Sequence, residues 1–399
     1  MVIMVKRLYK FPEILFFQEG PGVRNHQYTT SGVKLLNVSN LRNGKIDLTT
    51  SDRYISENEA FNKYSHFLCD PNDFIIASSG IKIDSFDSKM GFIHQSDLPV
   101  CMNTSTIRFK VLNKEVLEIR YFMYYLKSIV FKKVLTKVVT GSAQLNFGPS
   151  HLKNMSISLP NFDIQKTIVQ RLDRVNNLIE IKRKLLFLLD ELVKSRFDEL
   201  FLNTHSIETM EIGELFEVGS SKRILQSELT TYGIPFYRVT DLINRINDRP
   251  VDIKQYVDEL KYMTLIKEKY VPQAGDFLIT ARGTIGKIYE VKQNDKFYFQ
   301  DGMITWLKRK NNYINNLFFM ELVKTDWFRR QFYSSNNGTT ISYLSITDTR
   351  HLKVLLPALN LQLQFAQEVY QINKLKSDVQ KSIDETQLLM DSLMQEYFG

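Results

Sequence analysis

Two stretches of this chain, about 200 residues apart, carry the same motifs in the same order, so whatever the chain folds into is built twice. Residues Gly32–Asp47 match Gly233–Asp248, with identities at Gly32/Gly233, Val38/Val239, Leu41/Leu242, Asn43/Asn244 and Asp47/Asp248. Each copy reads as a strand running into a polar turn. Asp73–Gly80 then matches Asp276–Gly283, a short apolar strand that ends in small residues and a glycine. A third match begins at Thr140-Gly141-Ser142 against Asn337-Gly338-Thr339 and reaches Leu159-Pro160 against Leu356-Pro357 without a gap. A few residues later both copies carry glutamine, Gln165 and Gln362.

After each of those prolines the apolar period changes to that of a long helix. In the first copy Ile168, Leu172, Val175, Ile179, Lys182, Leu186, Leu189 and Val193 alternate in steps of four and three. Phe365, Val369, Ile372, Lys376, Val379, Ile383, Thr386, Met390 and Leu393 do so in the second. This is the heptad pattern of a coiled-coil seam, with a lysine in the middle of each. Helices of roughly 35 to 40 residues reach about 55 to 60 Å, too long for the core of one small domain, but two in one chain can cover each other's seams. Their ends also match, Ser195–Phe201 against Ser392–Phe398. The expected fold class is α+β, ordered as a mixed α/β domain (1–159), a long helix (160–202), a similar domain (203–356) and a second long helix (357–399).

Composition supports that division. With 43% hydrophobic and 12% aromatic residues, each block can fill a core. The net charge of +8 is unevenly placed: Lys and Arg exceed Asp and Glu by seven in 1–159 and by three in 203–356, against one in the first helix and a deficit of three in the second. A phosphate-binding face on each domain would produce this pattern, because polyanion affinity comes largely from cations displacing counterions. No apolar run approaches the roughly 18 residues of a membrane span, so a soluble cytoplasmic protein is expected. Cys69 and Cys101 stand alone and read as small buried hydrophobes.

In this arrangement the sequence resembles the specificity (S) subunit of type I restriction-modification enzymes over nearly its whole length. The matching stretches are Gly141-Ser142, Pro160 and Gln165, then Gly338-Thr339-Thr340, Pro357 and Gln362, together with Phe236–Leu242 and Phe277–Gly286. The resemblance implies two target-recognition domains and an antiparallel helix pair with pseudo-twofold symmetry, set against the two halves of a bipartite, asymmetric double-stranded DNA target. It also implies two methyltransferase (M) subunits docked on the chain, joined by restriction (R) subunits. S-adenosylmethionine, ATP and Mg²⁺ would then be bound by those partners and none by this chain. One departure is visible: Ser78-Ser79-Gly80 stands where the second copy has Ala281-Arg282-Gly283.

Chemistry of the chain's own is hard to find in the residues. Glu19-Gly20-Pro21-Gly22 lacks the third glycine of a dinucleotide loop, and Gly286-Lys287 is followed by Ile288 rather than a hydroxyl residue. The six histidines show no metal-ligand spacing. Asp252 and Lys254, with Asp241 upstream, are the only candidate for a Mg²⁺-dependent cleavage site. Readout of DNA needs cations and amides in loops. The candidates are Asn37, Asn40, Arg42, Lys82, Ser142 and Gln144 in the first domain, and Arg238, Asp241, Arg282, Thr284, Lys287 and Thr340 in the second. The expected function is a non-catalytic DNA-specificity subunit. A coiled-coil adaptor that binds protein, and a chain that cuts or modifies DNA itself, are the alternatives.

Overall fold

The structure, a computed structural model, describes residues 6–139, 145–203, 207–332 and 343–399. The chain divides into two compact units, Met1–Ile181 with Ser382–Gly399, and Lys182–Lys381. The division cuts through both long helices, because each helix half is bound to a different core.

In the first unit, a four-stranded antiparallel sheet runs in the order Leu15–Glu19, Thr106–Val111, Phe74–Ala77, Met90–Phe92. Phe74–Ala77 is buried along its whole length, as an unbroken apolar run requires. Helices Ile119–Lys127 and Ile129–Val138 contribute Phe122 and Phe131 to the same core. The ring of Phe122 meets those of Phe11 at 5.2 Å and Phe109 at 5.1 Å, in the edge-on or tilted packing aromatic quadrupoles favour. A smaller sheet pairs Val100–Met102 parallel to Val33–Leu36, which is antiparallel to Tyr54–Ile55. It covers a separate cluster around Val23, Leu35, Ile55 and Tyr64. Cys69 and Cys101 are both buried.

The second unit repeats this topology. Its main sheet runs Phe216–Gly219, Ile304–Arg309, Phe277–Thr280, Ile288–Glu290, the same order of equivalent strands, and Ile234–Tyr237 again has a parallel neighbour, Tyr298–Phe299. One expectation fails here. The polar turn after Val33–Leu36 exists in the first domain as a hairpin, Leu41–Arg42 against Lys45–Ile46, with Asn43 and Gly44 both at positive φ (51° and 74°). Two successive positive φ values define the tight hairpin turn that Asn-Gly favours. In the second copy Arg245 stands in place of Gly44, and the segment forms a helix instead, Val239–Ile246.

The long helices span Phe162–Phe197 and Leu359–Phe398. Every apolar position of the expected seam is buried or half-buried: Ile168, Leu172, Val175, Ile179, Leu189, Phe365, Val369, Val379 and Ile383 are buried, and Leu186, Ile372 and Met390 are half-buried. Within the first unit Arg171 donates to the Tyr397 hydroxyl at 3.1 Å. Within the second, Arg196 pairs with Glu368 at 2.9 Å, and the seam lysine Lys376 pairs with Asp190. The partners descend on one helix as they rise on the other, so the helices run antiparallel.

A buried glutamine ties each helix to its domain. Gln165 accepts from the Glu118 N–H at 3.0 Å and donates to the carbonyls of Val116 and Pro160, both at 2.9 Å. Gln362 repeats all three bonds, to Asn315 N–H, Tyr313 and Pro357, at 2.8, 3.0 and 2.8 Å. Both side chains have 0% exposure. Among the described residues no helix is long and apolar enough to cross a membrane.

Candidate nucleic-acid interface

The central strand of each main sheet runs out into an exposed loop that the rest of the domain holds in place. In the first domain Ser78 is buried, takes the Phe147 N–H at 2.9 Å on its carbonyl, and donates its own N–H to Ser105 at 2.9 Å. Ser79–Ile81 then pairs with Leu145–Asn146. In the second domain Ala281 takes the Leu344 N–H at 2.9 Å and donates to Met303 at 2.9 Å, while Arg282 bridges Tyr343. The two loops therefore superpose in register, Ser79 on Arg282 and Asn146 on Tyr343. Gly80 and Gly283 follow at φ +71° and +73°, a conformation that costs glycine nothing.

The side chains at these equivalent places differ. Asn146 Oδ1 accepts from Ser79 Oγ at 2.7 Å and from the Gly80 N–H at 3.0 Å. The Arg282 guanidinium lies 4.2 Å from the centre of the Tyr343 ring, a cation–π stack. Beyond Arg282, the Thr280 hydroxyl donates to the Thr284 carbonyl and accepts from the Lys287 N–H at 3.0 Å, which closes the loop. Thr284 is exposed and Lys287 half-buried.

The remaining candidates divide by what their side chains already do. Arg42 and Lys82 are exposed, the first at the hairpin. Lys89 beneath that hairpin donates to the Leu41 carbonyl at 2.9 Å, and burial, with Arg42 close by, lowers its pKa. Arg238 is exposed and reaches the Gln255 side chain. Three candidates are engaged in holding the fold. Asn37 and Asn40 are buried, Asn37 bonding Ser39 and Ser51 and Asn40 bonding Asn37 and Asp47, so their amides build the turn. Asp241 caps the start of its own helix by accepting the Arg238 N–H at 2.9 Å. Ser142, Gln144 and Thr340, with the glycines beside them, lie outside the described residues. Asn146 and Tyr343 were missed, although both sit in the ungapped third match, one under the other.

Of the cleavage candidate, Asp241 is held as a cap, and Asp252 and Lys254 are 89% and 82% exposed and 3.9 Å apart. Among the described residues no three His, Cys, Asp or Glu side chains converge as a metal site. The first long helix also carries a second apolar row at heptad spacing on its exposed side: Leu178, Ile181, Leu185, Leu188 and Leu192.

A duplicated mixed α/β domain, whose loop at the end of an inner strand carries different side chains in the two copies and which leads each time into a long helix, is the organisation of a family of DNA specificity domains. The sequence pattern of the type I restriction modification DNA specificity domain matches residues 30–189 and again 205–385, and the chain belongs to that family. It is 31% identical over 179 residues to the type I restriction enzyme MjaVIII specificity subunit of Methanocaldococcus jannaschii, covering 44% of this chain and 40% of that one. To the MjaIX specificity subunit of the same organism it is 23% identical, covering 62% and 60%. The chain thus spans less than two thirds of the length of these relatives. Its fold is similar to that of the type I restriction-modification S subunit of M. genitalium, with a TM-score of 0.54 at 16% identity over 100% of this chain and 97% of the other. A second structure, from work on assembly and conformational transition of the type I R-M system, gives 0.60 at 15% identity over 98% and 97%.

Proposed function

We propose that this chain is the DNA sequence-specificity subunit of a type I restriction-modification complex, reading a bipartite, asymmetric target without a catalytic centre of its own. The observation that carries this reading is the duplicated loop: one backbone frame, held by the same bonds in both domains, presents different polar side chains in each. A reader of two unlike half-sites needs that combination, because the shared frame positions and the side chains discriminate. The long helices set the distance between half-sites and scaffold two methyltransferase subunits and the restriction subunits. The exposed row from Leu178 to Leu192 is the kind of apolar face a partner helix covers. S-adenosylmethionine, ATP and Mg²⁺ belong to those partners.

Binding measured with the methyltransferase subunit present tests the reading. Affinity for one duplex should exceed that for scrambled duplexes and fall steeply with salt, and Arg282→Ala should weaken it by about tenfold or more. Equal affinity across sequences, unmoved by Arg282→Ala, would favour the adaptor reading. The division of labour is tested by lengthening both helices by one heptad, which preserves the seam and adds about 10 Å. The gap in the target should grow by about 3 base pairs, at 3.4 Å each, while both half-sites stay the same. Altered half-site bases would contradict it.

A further inference from the structure

We propose that Ser79 with Asn146, and Arg282 with Tyr343, are the equivalent base-reading positions of the two domains, the first pair fitted to an adenine edge and the second to a guanine edge. The assignment rests on the DNA-specificity reading above and goes beyond it by naming the bases. The amide of Asn146 has a fixed orientation, since a backbone N–H can only donate: the atom 3.0 Å from Gly80 N is the oxygen. That oxygen also takes the Ser79 hydroxyl proton at 2.7 Å, which fills both its lone pairs. What the pair offers an incoming group is an Nδ2 donor beside an Oγ acceptor. In the major groove a donor-and-acceptor pair complements adenine, whose N7 accepts and whose N6 amine donates.

Arg282 offers the opposite pattern. A guanidinium carries five donors and no acceptor, and its stack on Tyr343 at 4.2 Å limits the rotamers it would otherwise lose on binding. Donors alone complement guanine, which presents O6 and N7 as two acceptors. Each pair rejects the other's base: Arg282 against adenine sets an N–H against the N6 amine, and Ser79 Oγ against guanine sets a lone pair against O6. Arg282 and Asn146 are exposed and Ser79 is half-buried, and among the described residues a Cβ on Gly80 or Gly283 would meet nothing within 4 Å, which leaves room beside each pair for a base edge.

The test is motif mapping of methylated adenines with the chain co-expressed with its methyltransferase subunit, comparing wild type with the double exchanges Arg282→Ser/Tyr343→Asn and Ser79→Arg/Asn146→Tyr. The first exchange should turn one guanine of one half-site into adenine, and the second should turn one adenine of the other half-site into guanine, with the gap unchanged in both. The single change Arg282→Gln, which keeps a stem long enough to lie on Tyr343, guards against misfolding. It should favour adenine over guanine at that position by about tenfold. An unchanged motif in folded, assembled variants overturns the base assignment alone. Wild-type complex with no split motif overturns the specificity reading together with it.

Discussion

Replacing Arg108 by alanine should destabilise the first domain by about 3–5 kcal/mol, the range seen when one partner of a buried ion pair is removed. Arg108 is 6% exposed and Asp73 3%. The terminal nitrogens of Arg108 donate to the carbonyls of Leu68 and His66 at 2.7 Å, to Gln18 at 2.7 Å and to the Asp73 carboxylate at 3.3 Å. Burial already holds the Asp73 carboxyl above its ordinary range, against the pull of the Asp70 N–H, Lys110 and Arg108. Without the guanidinium its pKa rises further, and the folded state takes up a proton the unfolded state has lost. Stability of the variant should therefore fall as pH rises from the unfolded carboxylate pKa through the raised folded one, and the deficit against wild type should shrink in acid. Amide exchange in Phe74–Ala77 and Thr106–Val111 should accelerate by about 100-fold or more at neutral pH, with Phe277–Thr280 unchanged. Asp73→Asn in the same background should restore part of the loss; no restoration would show that the lost carbonyl bonds alone account for it. The second domain solves the same problem without a direct ion pair among the described residues, with Arg309 acting on Asp276 only at longer range. Asp276 takes the Trp306 indole N–H at 3.0 Å and the Arg309 N–H at 3.2 Å, so Trp306→Phe should cost only about 1–3 kcal/mol.

Gln165→Leu and Gln362→Leu should each destabilise their own helix-to-domain joint by about 3–5 kcal/mol. Leucine fills the same space and leaves a buried proline carbonyl and a half-buried N–H and carbonyl without their partner, at about 1–3 kcal/mol each and not fully additive. Glutamate restores the acceptor but not the donor, so Gln165→Glu should recover little. Exchange should accelerate at Glu118 and along the first turns of Phe162–Phe197 for the Gln165 variant, and at Asn315 and the start of Leu359–Phe398 for the Gln362 variant. Equal protection in wild type and variants would remove these glutamines from the account of how the domains are fixed to the helices.

The repeat and the heptads made the architecture legible, because both are periodic and survive side-chain variation. Gln165 and Gln362 stood out as a coincidence of position, and their geometry explains it: the loop before Ile119–Lys127, the proline corner and the helix start meet at one amide. The site was less legible. Asn37, Asn40 and Asp241 have the residue types that read bases, yet the same polarity lets them hold turns and caps, and only burial separates the two uses. Asn146 lies in a two-residue strand and Tyr343 makes a single bridge, both too short to announce themselves, each paired with a loop more than sixty residues away. The helix at Val239–Ile246 replaced an expected turn because one glycine, Gly44, has no counterpart there.

Single-molecule mapping of methylated adenines in a plasmid carried with this chain and its methyltransferase subunit tests the specificity reading. Methylation should be confined to one split motif, two unlike short half-sites around a fixed gap. Unpatterned or absent methylation from an intact complex would contradict it.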